Sequence, residues 1–189
     1  MIRDLIEKTR SYRRFHQDFK IELETLKELL ELARLSAAAG NLQPLKYMLS
    51  NDPEKNDTIF PNLGWAGYLK DWPGPGEGER PSAYVIVLGD KRICKSFGCD
   101  HGIASQNILL GAVEKGLGGC MIGSVNRERL RKDLDISDHF EILLVLALGK
   151  PKESVVLEEV GPDGNIKYWR DSDGVHHVPK RSLNDIIVD

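Results

Sequence analysis

The sequence predicts an α+β fold in which helices pack on a sheet. The segments 82–89 and 140–149 are short and almost continuously apolar, as buried strands are, and the segments 22–37 and 100–115 have the length of helices. Strands alternate with helices over the first 150 residues, which favours a sheet covered by helices. Because the helices are uneven in length, we assign the chain to the α+β class rather than to the doubly wound α/β class.

In the N-terminal half, the first long helix is predicted over Glu22–Ala37. Its apolar residues recur three and four positions apart, so they form one face, and glutamates and a lysine occupy most of the other. LKYML (45–49) suits a short strand. SAYVIVLG (82–89) is β-branched at its centre, which is typical of a buried central strand.

The second half continues the pattern of helices and strands. Few charges interrupt Asp100–Lys115, so this helix is expected to be buried on most sides. The glycines of GLGGCMIG (116–123) are expected to allow a close backbone approach or to turn the helix back into a strand. Asn126–Leu134 reads as a short polar helix, and FEILLVLALG (140–149) as a second buried strand.

Two segments are expected to be less regular. The first, 51–81, is rich in proline, glycine and aromatic residues, and loops of this length often carry lids or binding surfaces. Helical spacing predicts a short helix inside it at Trp65, Tyr68, Leu69 and Trp72. This aromatic face either packs on the core or a subunit partner, or also borders a flat ligand. Beyond Pro151, turns at 162–165 and 171–174 separate three β-prone segments, which predicts a small meander or extended hairpin.

The composition is that of a soluble protein with a single domain over 1–189. The chain is 41% apolar and 29% charged, with a net charge of −3, and a chain of this length buries about 70% of its unfolded surface. The acidic balance argues against a nucleic-acid or membrane-surface binder, and no apolar stretch reaches the roughly 18–20 residues that span a bilayer. MIRDLIEKTR lacks the apolar core of a secretion signal, and the three cysteines contain no CxxC pair. We therefore expect a reduced, cytoplasmic protein.

Several common cofactor and catalytic motifs are missing. GLGGCMIG fails the GxGxxG pattern because Met121 stands at the third glycine, and the chain contains neither GxxxxGK[ST] nor GxSxG. His176 and His177 are adjacent, so on a strand they would point to opposite faces. The other histidines have no ligand-like spacing with the cysteines. We predict no metal site and structural or solvated roles for the five histidines.

TRSYRRF (9–15) concentrates positive charge in this mildly acidic chain. An arginine such as Arg13 keeps its proton, and its planar fork pairs two phosphate oxygens at once. The Ser11 hydroxyl can donate to a third oxygen, so the three arginines Arg10, Arg13 and Arg14 around it suit a phosphate dianion better than a single carboxylate. The alternative is a solvated basic turn before a helix, and the cluster alone does not decide between the two.

A second polar stretch lies in SAAAGNLQPLKYML (36–49), where the chain passes from a helix through a turn to a strand. Asn41 and Gln43 offer amide donors and acceptors that match a planar ring edge with alternating N–H and C=O groups. Pro44 stiffens the turn that presents them. Taken alone, these amides also fit an ordinary turn.

In this order, the motifs resemble those of the FMN-dependent nitroreductase family. The resemblance rests on RSYRRF, on GNLQP about 30 residues later, and on DHGIASQNILLGAVEKGLGGCMIG (100–123), and it ends in GKP (149–151) and VPKR (178–181). It extends over nearly the whole chain. It implies a nitroreductase-like α+β fold, with a central, mostly antiparallel sheet flanked by helices, and an obligate-type homodimer with FMN bound at the subunit interface.

The resemblance also implies roles for particular residues. Arg10, Ser11 and Arg13 would hold the flavin phosphate, with Arg14 as an auxiliary. Asn41 and Gln43 would meet the flavin from a second region, one or both supplied by the partner subunit. Ile122 and Gly123 would lie beside the isoalloxazine, and Lys180 and Arg181 would return to the phosphate. No side chain is assigned as a catalytic acid or base.

The sequence departs from the family pattern at three positions. Ala37 and Ala38 stand where the family often has Pro-Ser, so a hydroxyl near the flavin is missing. Leu45 replaces a frequent tryptophan. These changes leave the phosphate residues intact and bear on substrate preference.

The activity implied by the resemblance is an FMN-dependent oxidoreductase that uses NADH or NADPH. It would reduce small electron-poor acceptors, such as nitroaromatics or quinones, by a ping-pong hydride transfer, with the hard chemistry residing in the cofactor. One alternative is a flavin-binding carrier or sensor without NAD(P)H turnover. A third hypothesis, a small nucleic-acid binder, conflicts with the acidic balance of the chain.

Overall fold

The computed structural model describes residues 1–188. Its helices are α1 (Ile2–Lys8), α2 (Leu23–Arg34), α3 (Pro53–Ile59), α4 (Asp100–Glu114) and α5 (Arg127–Asp133). The strands of the main sheet are β1 (Phe15–His16), β2 (Leu45–Ser50), β3 (Ala83–Asp90), β4 (Gly118–Ile122) and β5 (Phe140–Pro151). A second, small sheet contains β6 (Val155–Glu159), β7 (Trp169–Arg170) and β8 (His176–Lys180).

The main sheet is built around β5, and all of its pairings are antiparallel. On one side β5 pairs with β3, which in turn pairs with β2. On the other side β5 pairs with β4, and β1 pairs with the C-terminal end of β5 at Lys150 and Pro151. The predicted α+β class with a mostly antiparallel central sheet is therefore confirmed. No helix within residues 1–188 is long and apolar enough to cross a membrane.

Both faces of the sheet are buried, which explains why the central strands read as continuous apolar runs. Val85 and Val87 of β3 face a cluster formed with α2 and α4. Tyr84 and Ile86, which alternate with them, face a second cluster that includes Ile59 of α3 and residues of α5. Alternate strand residues point to opposite faces, so a strand covered on both sides must be apolar throughout.

Helix α2 ends earlier than its apolar periodicity predicts. It stops at Arg34, and the chain then forms a short 3₁₀ turn at Ala39–Asn41 instead of continuing to Ala37. The buried carboxylate of Asp100 accepts the backbone N–H of Ala39 at 3.0 Å. Gly40 has a φ of +55°, which an α-helix does not allow. A tertiary contact therefore diverts the chain at this point.

The predicted helix around Trp65 and Trp72 is wrong. Residues 63–72 form a bridge and turns, with Ala66 at a φ of +36°, and the helix of this region is α3, earlier in the chain. The sequence carries signals for the start of α3. Asp52 is an N-cap whose side chain accepts the N–H of Lys55, and a proline occupies the first turn.

The C-terminal sheet is only partly the predicted meander. Strands β7 and β8 form an antiparallel hairpin around the 171–174 turn, as expected. Strand β6, however, pairs with β8 in parallel, so consecutive strands are not all neighbours. The loop that joins β6 to β7 crosses β8, which lies between them in the sheet. The prediction that the three strands follow one another as a meander is therefore wrong for β6.

The glycine segment after α4 turns the helix back into a strand, β4, which was one of the two expectations for it, although no range was predicted. Gly116, with a φ of +72°, ends α4. A Cβ at Gly118 would lie 2.5 Å from the Tyr12 ring, and one at Gly119 would lie 2.6 Å from the carbonyl of Ala147. The expected close backbone approach is thus confirmed: Tyr12 approaches at Gly118, and the backbone of β5 approaches at Gly119.

Gly119→Ala is expected to destabilise the fold, because the added methyl meets backbone that has little freedom to move. Overpacking of this kind costs about 1–3 kcal/mol. Gly102→Ala in α4 is a matched control, since a Cβ there meets nothing within 4 Å and helix propensity favours alanine by about 1 kcal/mol. Thermal unfolding of both variants checks this: Gly119→Ala should lower Tm, and an unchanged Tm would contradict the packing shown here.

Candidate functional site

The candidate site begins with the arginine loop, residues Arg10–Arg14, which joins α1 to β1. The loop lies against the first half of β4: Ser11 forms a parallel bridge with Gly119. The N–H of Tyr12 donates to the carbonyl of Gly119 at 3.0 Å. Because Gly118 carries no side chain, the Tyr12 ring of the loop can pack directly on the backbone of β4.

The three arginines of the loop have different partners. Arg14 forms a two-pronged ion pair with Glu79, with both N–O distances at 2.6 Å. Glu79 neutralises the positive charge of Arg14, and the hydrogen bond from Arg14 lowers the pKa of Glu79. Among residues 1–188, neither Arg10 nor Arg13 has a carboxylate within ion-pairing distance of its guanidinium. The loop therefore presents two uncompensated cations, and Arg14 is not one of them.

Arg10 keeps an unsatisfied donor. Its Nη2 donates to the carbonyl of Ile6 at 2.7 Å, at the end of α1. Its Nε is buried and has no acceptor in the described part of the chain. Since a buried donor without a partner is costly, this atom marks a place where an anionic acceptor would be stabilised.

Arg13 contacts the C-terminal hairpin (residues 168–180). Its Nη1 donates to the carbonyl of Ser11 at 3.1 Å and lies 3.2 Å from Nε2 of His176. Its guanidinium sits 4.8 Å from the centroid of the Tyr168 ring. Burial and the neighbouring charge of Arg13 lower the pKa of His176 to about 4, so the imidazole is neutral near pH 7 and can accept from Arg13.

Strand β4 links the arginine loop to Ile122 and Gly123. Three residues separate Gly119 from Ile122, which corresponds to about 10 Å along a strand. Ile122 is buried, whereas Gly123 is exposed and a Cβ there would meet nothing within 4 Å. The end of β4 therefore offers open backbone at Gly123, four residues or about 13 Å along the strand from Gly119, where the arginine loop packs.

Asn41 and Gln43 lie in an exposed turn before β2. The Gln43 amide donates to Oδ1 of Asn41 at 3.2 Å and to its carbonyl at 3.3 Å. Asn41 and Gln43 have φ values of +53° and +50°. Left-handed backbone at non-glycine residues is uncommon and stores strain, which is typical of functional turns.

Within one chain, this turn is far from the arginine loop. Strands β5 and β3 separate β4 from β2, which is about 14 Å across the sheet. Gly119 is opposite Leu148 of β5, whereas Pro44 is level with Phe140. Eight residues of strand add about 26 Å along the sheet. One chain does not bring Gln43 and Arg13 to the same small ligand.

Lys180 and Arg181 are also separated from the arginine loop. Both are exposed, and Lys180 lies at the end of β8, four residues or about 13 Å beyond His176. The C-terminal residues that do reach Arg13 are Tyr168 and His176. The predicted return of the chain to the arginine loop thus occurs earlier in the hairpin than VPKR.

Comparison with known proteins supplies the family. The model of the nitroreductase family matches residues 6–67 and 83–150, which is more than half of the chain. The chain belongs to the nitroreductase family. The resemblance seen in the sequence is thereby confirmed, and the fold class with it.

Individual relatives of this nitroreductase-family chain agree. A candidate NADH dehydrogenase/NAD(P)H nitroreductase from Archaeoglobus fulgidus is 28% identical over 153 residues, covering 77% of this chain and 83% of the relative. A nitroreductase family protein from Streptococcus pneumoniae superposes over 100% of both chains with a TM-score of 0.72, at 15% identity. A candidate nitroreductase from Exiguobacterium sibiricum, crystallised in complex with FMN, has a TM-score of 0.66 at 20% identity, covering 80% of this chain and 89% of its own.

Sequence reasoning missed three residues of the candidate site. Tyr168 and His176 contact Arg13, and Glu153 accepts backbone N–H groups of the arginine loop. His176 was expected to be structural or solvated, and no motif singled out the other two. Glu153 lies two residues after GKP (149–151), so an acidic residue soon after the matched segment was the only available signal. Within residues 1–188, no three His, Cys, Asp or Glu side chains are arranged to hold a metal ion.

The C-terminal hairpin contains a pH-sensitive contact next to this site. His177 pairs with Asp171 at 3.1 Å and with Glu158, and these carboxylates raise its pKa. A raised folded-state pKa stabilises the fold below the ordinary value of about 6.5 and loses that effect as pH rises through the folded value. The hairpin should therefore open more readily as pH rises from the ordinary histidine pKa of about 6.5 through the raised pKa of His177. Hydrogen exchange of the β8 amides checks this, and His177→Gln should remove the dependence; an unaltered profile in that variant would contradict it.

Proposed function

We propose that the protein is an FMN-dependent oxidoreductase that takes hydride from NADH or NADPH and reduces small electron-poor acceptors such as nitroaromatics or quinones. The observation that carries the proposal is the pair of uncompensated guanidinium groups, Arg10 and Arg13. Both belong to the arginine loop, whose Ser11 bridges Gly119, about 13 Å along β4 from the open backbone at Gly123. The naming of relatives as NAD(P)H nitroreductases, and of one similar structure as an FMN complex, supports it.

The donor set fits the phosphate of FMN. Arg10 supplies a buried Nε without an acceptor, Arg13 a guanidinium without a carboxylate, and Ser11 a hydroxyl. Charge-assisted hydrogen bonds from arginine to phosphate are short and strong, and the planar fork fixes their direction. Lys180 and Arg181 remain proposed phosphate ligands that would have to approach from outside the arrangement seen in one chain.

The remaining residues would position the ring and its reaction partners. When bound, FMN supplies the acceptance and donation of hydride. Ile122 would pack against the ring from the core side, and the missing side chain of Gly123 would leave room for a ligand beside the backbone. NAD(P)H and the acceptor would occupy the same open face in turn, which is the basis of a ping-pong sequence and requires no dinucleotide-binding loop. Solvent can supply the protons of the product.

Asn41 and Gln43 would complete the site from a second copy of the chain. Their distance from Arg13 within one chain supports a homodimer, in which each site combines the arginine loop of one protomer with the turn of its partner. Apolar side chains near that turn are exposed in the single chain, as an interface requires: Leu32, Leu35, Leu42 and Ile103. Ala37 and Ala38 border a cavity of about 440 Å³ between α2 and β2, so the missing hydroxyl would leave space for a bulkier acceptor.

Anaerobic reduction tests the proposal. Purified protein reconstituted with FMN should lose its visible flavin absorbance when NADH or NADPH is added without oxygen, and should recover it when a quinone or nitroaromatic follows. Protein that binds FMN but keeps its absorbance under NADH and NADPH would be a flavin carrier or sensor. Protein that binds no FMN would contradict both functions.

A further inference from the structure

Glu153 is a buried carboxylate to which the proposed function gives no role. Its side chain is 1% exposed. One oxygen, Oε1, accepts the backbone N–H groups of Arg13 and Arg14, the latter at 3.1 Å. The other, Oε2, accepts Nη2 of Arg170 at 2.7 Å. The two carboxylate oxygens thus accept hydrogen bonds from three donors.

The bonds to Oε1 fix the backbone of the arginine loop at Arg13, which is a proposed phosphate ligand. Two consecutive N–H groups directed at one oxygen define the orientation of both peptide planes. The direction in which the Arg13 side chain leaves the backbone follows from that orientation. The carbonyl of Arg14 is fixed as well, because it accepts the N–H of Lys152 at 2.9 Å.

Arg170 is itself held from the opposite side. Its guanidinium lies 4.8 Å from the centroid of the Trp72 ring. Two residues earlier, Tyr168 packs on Arg13 and on Tyr68, whose ring centroid is 4.8 Å away. The residues that contact Arg13 and Arg170 lie in segments 68–82 and 151–188. The family model matches residues 6–67 and 83–150, so both segments fall outside the match. The two unmatched segments therefore meet behind the arginine loop.

We infer that Glu153 is a positioning residue for phosphate recognition: it holds the arginine loop in its binding conformation without touching FMN. Arg170, supported by Trp72, holds Glu153 in turn. The inference rests on the proposed function. It requires that the affinity for the phosphate group, and not the affinity for the flavin ring, depends on Glu153.

Removing the negative charge of Glu153 changes FMN affinity in opposite directions, depending on whether Glu153 acts only by its charge or by positioning the arginine loop. Coulomb's law alone predicts that Glu153→Gln tightens FMN binding, because a negative charge near the phosphate is lost. Positioning predicts weaker binding, because the glutamine amide has only one acceptor oxygen. In either orientation its NH₂ group faces a donor, either the backbone N–H groups of the loop or the guanidinium of Arg170. The direction of the change therefore separates them.

The experiment is a fluorescence titration of the flavin-free full-length chain with FMN and with riboflavin, which lacks the phosphate. Glu153→Gln should weaken FMN binding by about tenfold or more and leave riboflavin binding unchanged. Glu79→Gln is the matched control: its carboxylate pairs with Arg14 in the same loop but accepts no backbone N–H among the bonds of residues 1–188. FMN affinity should be unaffected in that control.

Arg170→Gln is the second variant, and it carries the test if Glu153→Gln does not fold. It keeps both backbone bonds to Glu153, so it should weaken FMN binding by a smaller factor and again spare riboflavin. Unchanged or tighter FMN binding, or an equal loss for FMN and riboflavin, would overturn the positioning role. Absence of FMN binding by the wild-type chain would instead overturn the proposed function.

Discussion

Arg13→Ala is expected to weaken FMN binding by about 10- to 150-fold. A hydrogen bond to a charged group contributes about 1.5–3 kcal/mol, and each 1.4 kcal/mol is a factor of ten in Kd. The guanidinium of Arg13 has no carboxylate to neutralise it among the described residues, so its charge is available to the phosphate. Flavin fluorescence titration of the purified variant measures the change.

Arg14→Ala is the control for this prediction. It removes the same chemical group one residue further along, but that group is already paired with Glu79 at 2.6 Å. The variant should lose stability from the broken ion pair and keep its FMN affinity. If both variants lost FMN affinity equally, the arginines would act only through their summed charge, and the assignment of Arg13 as a direct ligand would be wrong.

The second large effect is expected from mixing two defective chains. One chain carries Arg13→Ala, and the other carries Asn41→Ala and Gln43→Ala. If each site takes its arginine loop from one protomer and its polar turn from the partner, a mixed dimer has one site with both defects and one intact site. FMN should therefore bind to mixed dimers with wild-type affinity at half the wild-type stoichiometry.

Homodimers of each defective chain, purified in parallel, are the controls for the mixing experiment. Both should bind FMN weakly, and only the mixed dimer, isolated through two different affinity tags, should recover. A site formed within a single chain predicts that no mixed dimer recovers, because each site would keep one defect. The 14 Å across the sheet and 26 Å along it favour the shared site.

Much of the fold could be predicted because its central elements are governed by local pattern. Strands β2, β3 and β5 and helix α4 lie within a few residues of their predicted ranges. In each, burial imposes an apolar run or a sparsely charged surface that is visible in the sequence. The elements that were wrong or missed depend on tertiary contacts. Strand β4 begins with two glycines because Tyr12 of the arginine loop packs at Gly118 and Ala147 of β5 packs at Gly119, and the spacing of Trp65 and Trp72 reflects turns rather than a helix.

The candidate site also has a part that could be predicted from the sequence and a part that depends on tertiary contacts. The arginine cluster and the Asn41–Gln43 turn were identified by side-chain chemistry and by resemblance to a family. Their roles in flavin binding stay predictions, as does the single-domain assignment. The sequence could not show that Glu79 neutralises Arg14 and leaves Arg10 and Arg13 unpaired, because 65 residues separate Arg14 from Glu79. It also could not show that Glu153 and His176 reach the arginine loop, since these contacts exist only in the folded chain.

The most direct test of the central claim compares FMN with riboflavin on the wild-type chain. The two ligands share the flavin ring and differ in the phosphate, so the ratio of their dissociation constants reports what the arginine loop recognises. Two or more charge-assisted contacts predict that FMN binds at least about 100-fold more tightly than riboflavin. Equal affinities for FMN and riboflavin would contradict the claim that Arg10, Ser11 and Arg13 hold the flavin phosphate.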